Sequence, residues 1–303
     1  MKKLLAAALS AAFLLLCACT PGAAGGETTS PDPVLNIAAT TWPVYCLTTA
    51  VTGDLEGVEV IPVLNVQTSC LHDYTLTVDD MKTLEGADVV VINGVGLEDF
   101  MDDALAAADA DVIDASGTID LLTLPDGTED PHIWMDPDRA AMMVQNITDG
   151  LKKIDPDHAT EYQDNADVAL DTLAACASAG RKALNDLSCR ELITFHDGFG
   201  YFADSFDLTI LRSIEEEEGS EASAKTINEV VDLIESHDLP AIFVEVNGSD
   251  ATAQAIARET GVEVDTLSMI MSGTGQGLEP YLTVLNQNIE TVRAALTSAE
   301  EAS

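Results

Sequence analysis

His72, His132 and His196 are the side chains in this sequence best placed to do chemistry together. The chain has only five histidines. His72 sits in "NVQTSCLHDY", His132 in "DPHIWMDP", and His196 closes "ELITFH". Each falls at or beyond the carboxyl end of an apolar run that reads as a parallel strand, where open α/β sheets place their ligands. His158 and His237 lie at helix ends and read most simply as surface residues. Three neutral imidazoles suit Zn²⁺, with a carboxylate or water completing a tetrahedron. A more oxygen-rich set would suit Mn²⁺. On position alone, a shared metal site stands beside the plainer reading of three unrelated loop histidines. Neighbouring aspartates do not decide it. Asp73, Asp130 and Asp197 adjoin or nearly adjoin the three, but His158 and His237 have adjacent aspartates too.

A site of three histidines with an open fourth position is also the layout of a zinc hydrolase. No HExxH and no GxSxG occurs, and no glutamate is visibly placed as general base. "NGVGLED" (93–99) follows a strand but lacks the third glycine of a dinucleotide fingerprint, so it reads as a plain strand-to-helix turn. The expectation is a binding protein, not an enzyme. An adhesive surface role would predict that all three histidines are dispensable.

The other chemistry-bearing residues are cysteines. Cys17 and Cys19 belong to a leader-like start: Lys2 and Lys3, then an apolar run over Leu4–Leu16 too short to span a bilayer comfortably. "LCAC" resembles a bacterial lipobox, which implies cleavage before Cys19 and acylation of its thiol; an ordinary signal cut is the alternative. Residues 1–19 thus read as a lipoprotein signal and residues 20–33, rich in Gly, Thr, Ser and Pro, as a flexible tether. Cys46, Cys70, Cys176 and Cys189 remain. In an exported protein an even remainder reads as disulfides. The pairs nearest in sequence are Cys46–Cys70 and Cys176–Cys189. Cys70 as a thiolate metal ligand beside His72 is the competing reading.

The elements that must hold these residues alternate strand with helix. Runs at 34–39, 58–64, 87–93 and 111–115 are strands of a first lobe, 34–154. Runs at 191–196, 208–214, 241–246 and 262–267 repeat the pattern in a second, 188–303. Helical spacing lies between them, and Thr77 with Asp80 forms a capping-box-like start. The fold class is α/β, with parallel sheets flanked by helices. Residues 155–187 open on Asp-Pro and run as one helix with only Gly180 as a weak point. Such a helix is a stiff strut joining two lobes.

The formal net charge of −40 argues against nucleic acid and anionic lipid as partners. It is compatible with a cation ligand, but solubility explains acidity equally well.

Taken together, "LHDYTLTVDDMKTLEGADVVVING", "DPHIWMDP", "DPDHATEYQDNA", "TFHDGFGYFADSF" and "EASAKTINEVVDLIE" resemble the metal-specific solute-binding proteins of bacterial ABC importers, the zinc/manganese group. The resemblance covers essentially the whole mature chain. It implies two lobes on one long rigid helix, and metal ligation by His72, His132 and His196. A histidine at the third position implies zinc rather than manganese or iron. It also implies a monomer, lipid-anchored on the outer face of the cell membrane, that passes its metal to an ABC permease. The fourth ligand stays open. The family's acidic position in the last strand falls near Ser268, with Asp265 three residues earlier; the position before the first histidine is Leu71. The His-rich loop of many zinc binders is replaced by the short "LTLPDGTED" (122–130). Water, the Glu215–Glu221 loop and Asp265 are the alternatives.

Overall fold

A computed structural model describes residues 35–65, 71, 74–214, 222–246 and 251–297. Cys19, Cys70, His72, the Glu215–Glu221 run, the leader and the tether lie outside the described residues.

The first lobe is built in the order β1 (Leu35–Ala39), α1 (Trp42–Thr52), β2 (Val58–Pro62), α2 (Val78–Glu85), β3 (Val89–Ile92), α3 (Asp102–Ala107), β4 (Asp111–Asp114) and α4 (Pro137–Ile154). Its strands are all parallel, in the order β2-β1-β3-β4. The inner strand β3 is apolar throughout because both its faces are covered: Val89, Val90 and Val91 are fully buried. The outer strand β4 places Asp111 and Asp114 in solvent, which blunts an open edge. The start of α2 is the expected capping box. Thr77 Oγ1 accepts from the Asp80 amide at 3.2 Å, and the Asp80 carboxylate accepts from the Thr77 amide at 2.7 Å.

Helix α5 (Ala159–Ala183) then crosses to the second lobe. Its 25 residues span about 37 Å at ~1.5 Å per residue. It packs on α1 and α4 of the first lobe and, in the second, on α9 (Leu278–Leu296). Gly180, which reads as a weak point in the sequence, is a packing device. A β-carbon there would meet Phe206 at 2.6 Å and Ile289 at 2.9 Å.

The second lobe runs β5 (Glu191–Thr194), α6 (Gly200–Ser205), β6 (Thr209–Ser213), α7 (Ala224–His237), β7 (Ala241–Glu245), α8 (Ala251–Thr260), β8 (Glu263–Leu267) and α9. Its parallel sheet has the order β6-β5-β7-β8, the same topology as the first. One apolar cluster runs from β1 and β3 through α5 to α6 and α9, while α7, α8 and one face of the second sheet share a smaller one. The fold is therefore the two-lobed α/β class expected. Among the described residues no helix is long and apolar enough to cross a membrane.

The disulfide expectation is corrected. Cys46, Cys176 and Cys189 are free thiols. Cys176 lies on the buried stripe of α5, its Sγ toward Asn286 Oδ1 at 3.7 Å. Cys189 comes after the chain has left the helix, with Sγ toward the Glu191 carbonyl at 3.7 Å. An even cysteine count carries no information about such geometry. Burial pushes the Cys46 thiol up to about 12. Near neutral pH Cys46 is expected to resist alkylation in the folded protein and to react only after denaturation, with reductant leaving the melting temperature unchanged. Rapid labelling of native Cys46, followed by peptide mass spectrometry, would contradict this.

Candidate metal centre

His132 and His196 come from different lobes and meet. Their Nε2 atoms are 3.4 Å apart and their rings stand at 86°, with centroids 5.2 Å apart. Both side chains are buried.

His132 owes its place to the loop between β4 and α4. Pro131 precedes it and a single 3-10 turn, Ile133–Met135, follows; Asp136 then caps α4 and Pro137 takes its first position. Asp130, itself buried, accepts from the His132 amide at 2.9 Å and faces its ring Nδ1 at 2.7 Å. An ionised carboxylate there holds the proton on Nδ1 and leaves the Nε2 lone pair directed at His196. Trp134 and Met135 form an apolar wall beside it. Both are fully buried, and the Trp134 ring lies 5.4 Å from that of His132.

His196 stands two residues beyond β5, at the point where the second sheet's strand order reverses. The register shift between β5 and β6 beside Ile193 twists that end of the strand. Two carboxylates flank its Nδ1: Glu245 Oε1 at 3.7 Å and Asp197 Oδ1 at 3.8 Å. Glu245 ends β7 and is buried. Burial also raises the Asp197 carboxyl above its ordinary range, against the pull of His132. Gly198 closes the floor. A β-carbon placed on it would meet Met269 Cε at 2.4 Å, His196 Cδ2 at 2.8 Å and His132 Cδ2 at 3.0 Å.

Hydrogen bonds tie the lobes across the site. The Trp134 indole donates to the Met269 carbonyl at 2.8 Å, and the Tyr281 hydroxyl to the Trp134 carbonyl at 2.5 Å. The Tyr201 hydroxyl, on α6, donates to the Asp130 carbonyl and accepts from the Leu122 amide, at 2.8 and 2.9 Å. Arg139 of α4 bridges Asp136 and Asp204, its guanidinium 4.7 Å above the Tyr201 ring.

A nitrogen–nitrogen distance of 3.4 Å is long for an N–H···N hydrogen bond. It does match two corners of a tetrahedron: with zinc–nitrogen bonds of about 2.0–2.1 Å, ligating atoms stand roughly 3.3 Å apart. Among the described residues no set of three or more His, Cys, Asp and Glu side chains converges to hold an ion. The other sequence candidates divide as follows. His72 and the Glu215–Glu221 run lie outside the described residues. Asp265 is in the middle of β8, paired in register with Phe243, and not at the strand's carboxyl end. Ser268 is held on both backbone groups by Asn288. Leu71 is buried in the core. His158 pairs with Asp155 and His237 with Glu191, away from the centre.

The sequence reading missed Glu245, Gly198 and Met269. Only Glu245 had a legible signal: an acidic residue closing the otherwise apolar strand "AIFVE".

The family model described as "Zinc-uptake complex component A periplasmic" (ZnuA) matches residues 37–295. The chain is 28% identical over 314 residues to the zinc-binding lipoprotein AdcA of Streptococcus pneumoniae serotype 4, covering 97% of this chain and 61% of that relative. It therefore spans about three-fifths of that curated relative's length. It is 27% identical over 210 residues to the manganese-binding lipoprotein MntA of Halalkalibacterium halodurans, covering 67% of this chain and 70% of that protein. A crystal structure of ZnuA superposes with a TM-score of 0.78 at 25% identity, covering 87% of this chain and 100% of that one. The two lobes, the strand order and the match across nearly all described residues agree: the chain belongs to the zinc-uptake complex component A (ZnuA) family.

Proposed function

We propose that this protein captures Zn²⁺ outside the cytoplasm and delivers it to an ABC permease. The observation that carries the reading is the 3.4 Å separation of His132 Nε2 and His196 Nε2, brought together from two lobes. His132, His196 and His72 are the proposed ligands. His72 enters on its sequence position alone, in the segment that follows β2. The fourth position is left to water or to a carboxylate from the Glu215–Glu221 run. Members of this family are solute-binding transport components and not enzymes, and no turnover is expected of this chain.

The proposed organisation keeps the division drawn from the sequence: signal 1–19, tether 20–33, lobes 34–154 and 188–303, and linking helix 155–187. Cys19 is proposed as the lipidated residue, in line with relatives named as lipoproteins. The working unit is proposed to be a monomer.

Likeness to a manganese-binding lipoprotein favours one second reading, Mn²⁺ as cargo. Metal analysis of protein purified without added metal, followed by competition between the two ions, separates them. Zinc is expected to be retained and to displace manganese, as the Irving–Williams order and a nitrogen-rich site both require. Retained manganese with no zinc preference would overturn the assignment.

A further inference from the structure

Glu98 is a buried carboxylate that the metal centre does not use. It is 3% exposed, and among the described residues it forms no ion pair with a lysine, arginine or histidine. Burying such a group without a cation is costly, and burial pushes its carboxyl up to about 7. It receives three hydrogen bonds instead: from the Thr40 hydroxyl at 2.6 Å, the Asn93 amide at 2.8 Å and the Gly94 amide at 3.0 Å. These donors sit at the carboxyl ends of β1 and β3, where the first sheet's strand order reverses.

The turn that Glu98 grips is strained. Gly94, Val95 and Gly96 have φ of 84°, 58° and 75°. A β-branched residue in the left-handed region persists only where its surroundings fix it, and such strain gathers at functional sites. The Asn93 side chain, fully buried, leaves this turn to donate to the Pro131 carbonyl at 2.9 Å. That carbonyl belongs to the peptide joining Pro131 to His132. The nitrogen of the same peptide donates to Asp130.

We infer that Glu98 and Asn93 form a relay that positions His132: Glu98 fixes Asn93, and Asn93 fixes the peptide from which the imidazole projects. Asp130 sets the rotation of the ring, while the relay sets the place of its root. The inference rests on the metal reading of the His132–His196 pair.

The test measures Zn²⁺ affinity by chelator competition and records the visible absorption of the Co²⁺-loaded protein, whose intensity reports tetrahedral geometry. It compares wild type, Asn93→Ala, Glu98→Gln and a control, Val230→Ala, in the separate apolar cluster of the second lobe. Asn93→Ala and Glu98→Gln are expected to weaken zinc about 10–100-fold, as loss of outer partners does, and to dim the Co²⁺ band. Val230→Ala should lower the melting temperature and leave both readouts alone. Unchanged affinity and spectrum in Asn93→Ala, or equal losses in Val230→Ala, would overturn the relay. If Asn93→Ala does not fold, Glu98→Gln decides on the same criterion. A wild-type protein that binds neither ion would sink the metal reading itself, which is a distinct result.

Discussion

Replacing His196 with alanine is expected to lower zinc affinity by well over ~100-fold, because outer partners of a ligand are alone worth about 10–100-fold. The truncation removes one of two facing nitrogens and leaves His132 Nε2 without a counterpart at 3.4 Å. Isothermal titration with a competing chelator reads the loss. A thermal scan provides a second readout, since the rise in melting temperature on adding zinc scales with affinity and should vanish. The companion variant His196→Glu is informative about cargo. It exchanges an imidazole nitrogen for a carboxylate oxygen, which suits Mn²⁺ better, and should weaken zinc while narrowing its margin over Mn²⁺. Near-native zinc affinity in His196→Ala would remove this imidazole from the site.

Gly198→Val is the second large effect, and it acts without replacing a ligand. The glycine's φ lies outside the left-handed region, so space alone decides. A single added carbon already falls 2.4 Å from Met269 Cε and 2.8 Å from His196 Cδ2. The methionine methyl is the free end of a flexible chain and can move. The imidazole edges cannot both recede, because Asp130 holds one of them from behind. Valine adds two further carbons to that contact. The expected result is a stability loss of about 1–3 kcal/mol from overpacking together with a loss of more than tenfold in zinc affinity, from rings pushed off their meeting point (a misplacement of this kind is ruinous to a preorganised site). Wild-type affinity in a folded Gly198→Val protein would show that the two rings are not confined by this floor.

The sheets and the strut were legible because their signals are local. Each strand is a short apolar run bounded by turn residues, and Asp155-Pro156 marks the break before α5, which a 3-10 turn at Pro156–His158 then leads into. The bridging of Cys176 and Cys189 was misjudged because pairing depends on which face of α5 a thiol occupies. That face is set by packing against α9, not by sequence distance. His132 and His196 were legible as a pair from their places at strand ends. Proximity to aspartate carried nothing, and the structure says why. His158 and His237 also hold carboxylate partners, at 2.6 and 2.9 Å. What separates Asp130–His132 from these is burial of both members, a tertiary property. Gly198 and Met269 matter only because they touch groups from elsewhere in the chain, so nothing in their own neighbourhood could announce them.

The hydrogen bonds from Trp134 to Met269, from Tyr201 to Asp130 and from Leu122 to Tyr201 join the same two lobes that supply the facing imidazoles. On the proposed metal reading, occupancy of the site and apposition of the lobes are therefore linked quantities. Whatever factor a bound ion contributes to keeping the lobes together, a partner that prefers them parted must return as weakened ion affinity, since coupling between two sites is reciprocal. On the proposed transport reading, unloading an ion then requires no chemistry at the histidines. On that reading a surface that binds parted lobes more tightly than apposed ones would suffice, and Tyr201→Phe, by removing two of these ties, should make that exchange easier from either direction.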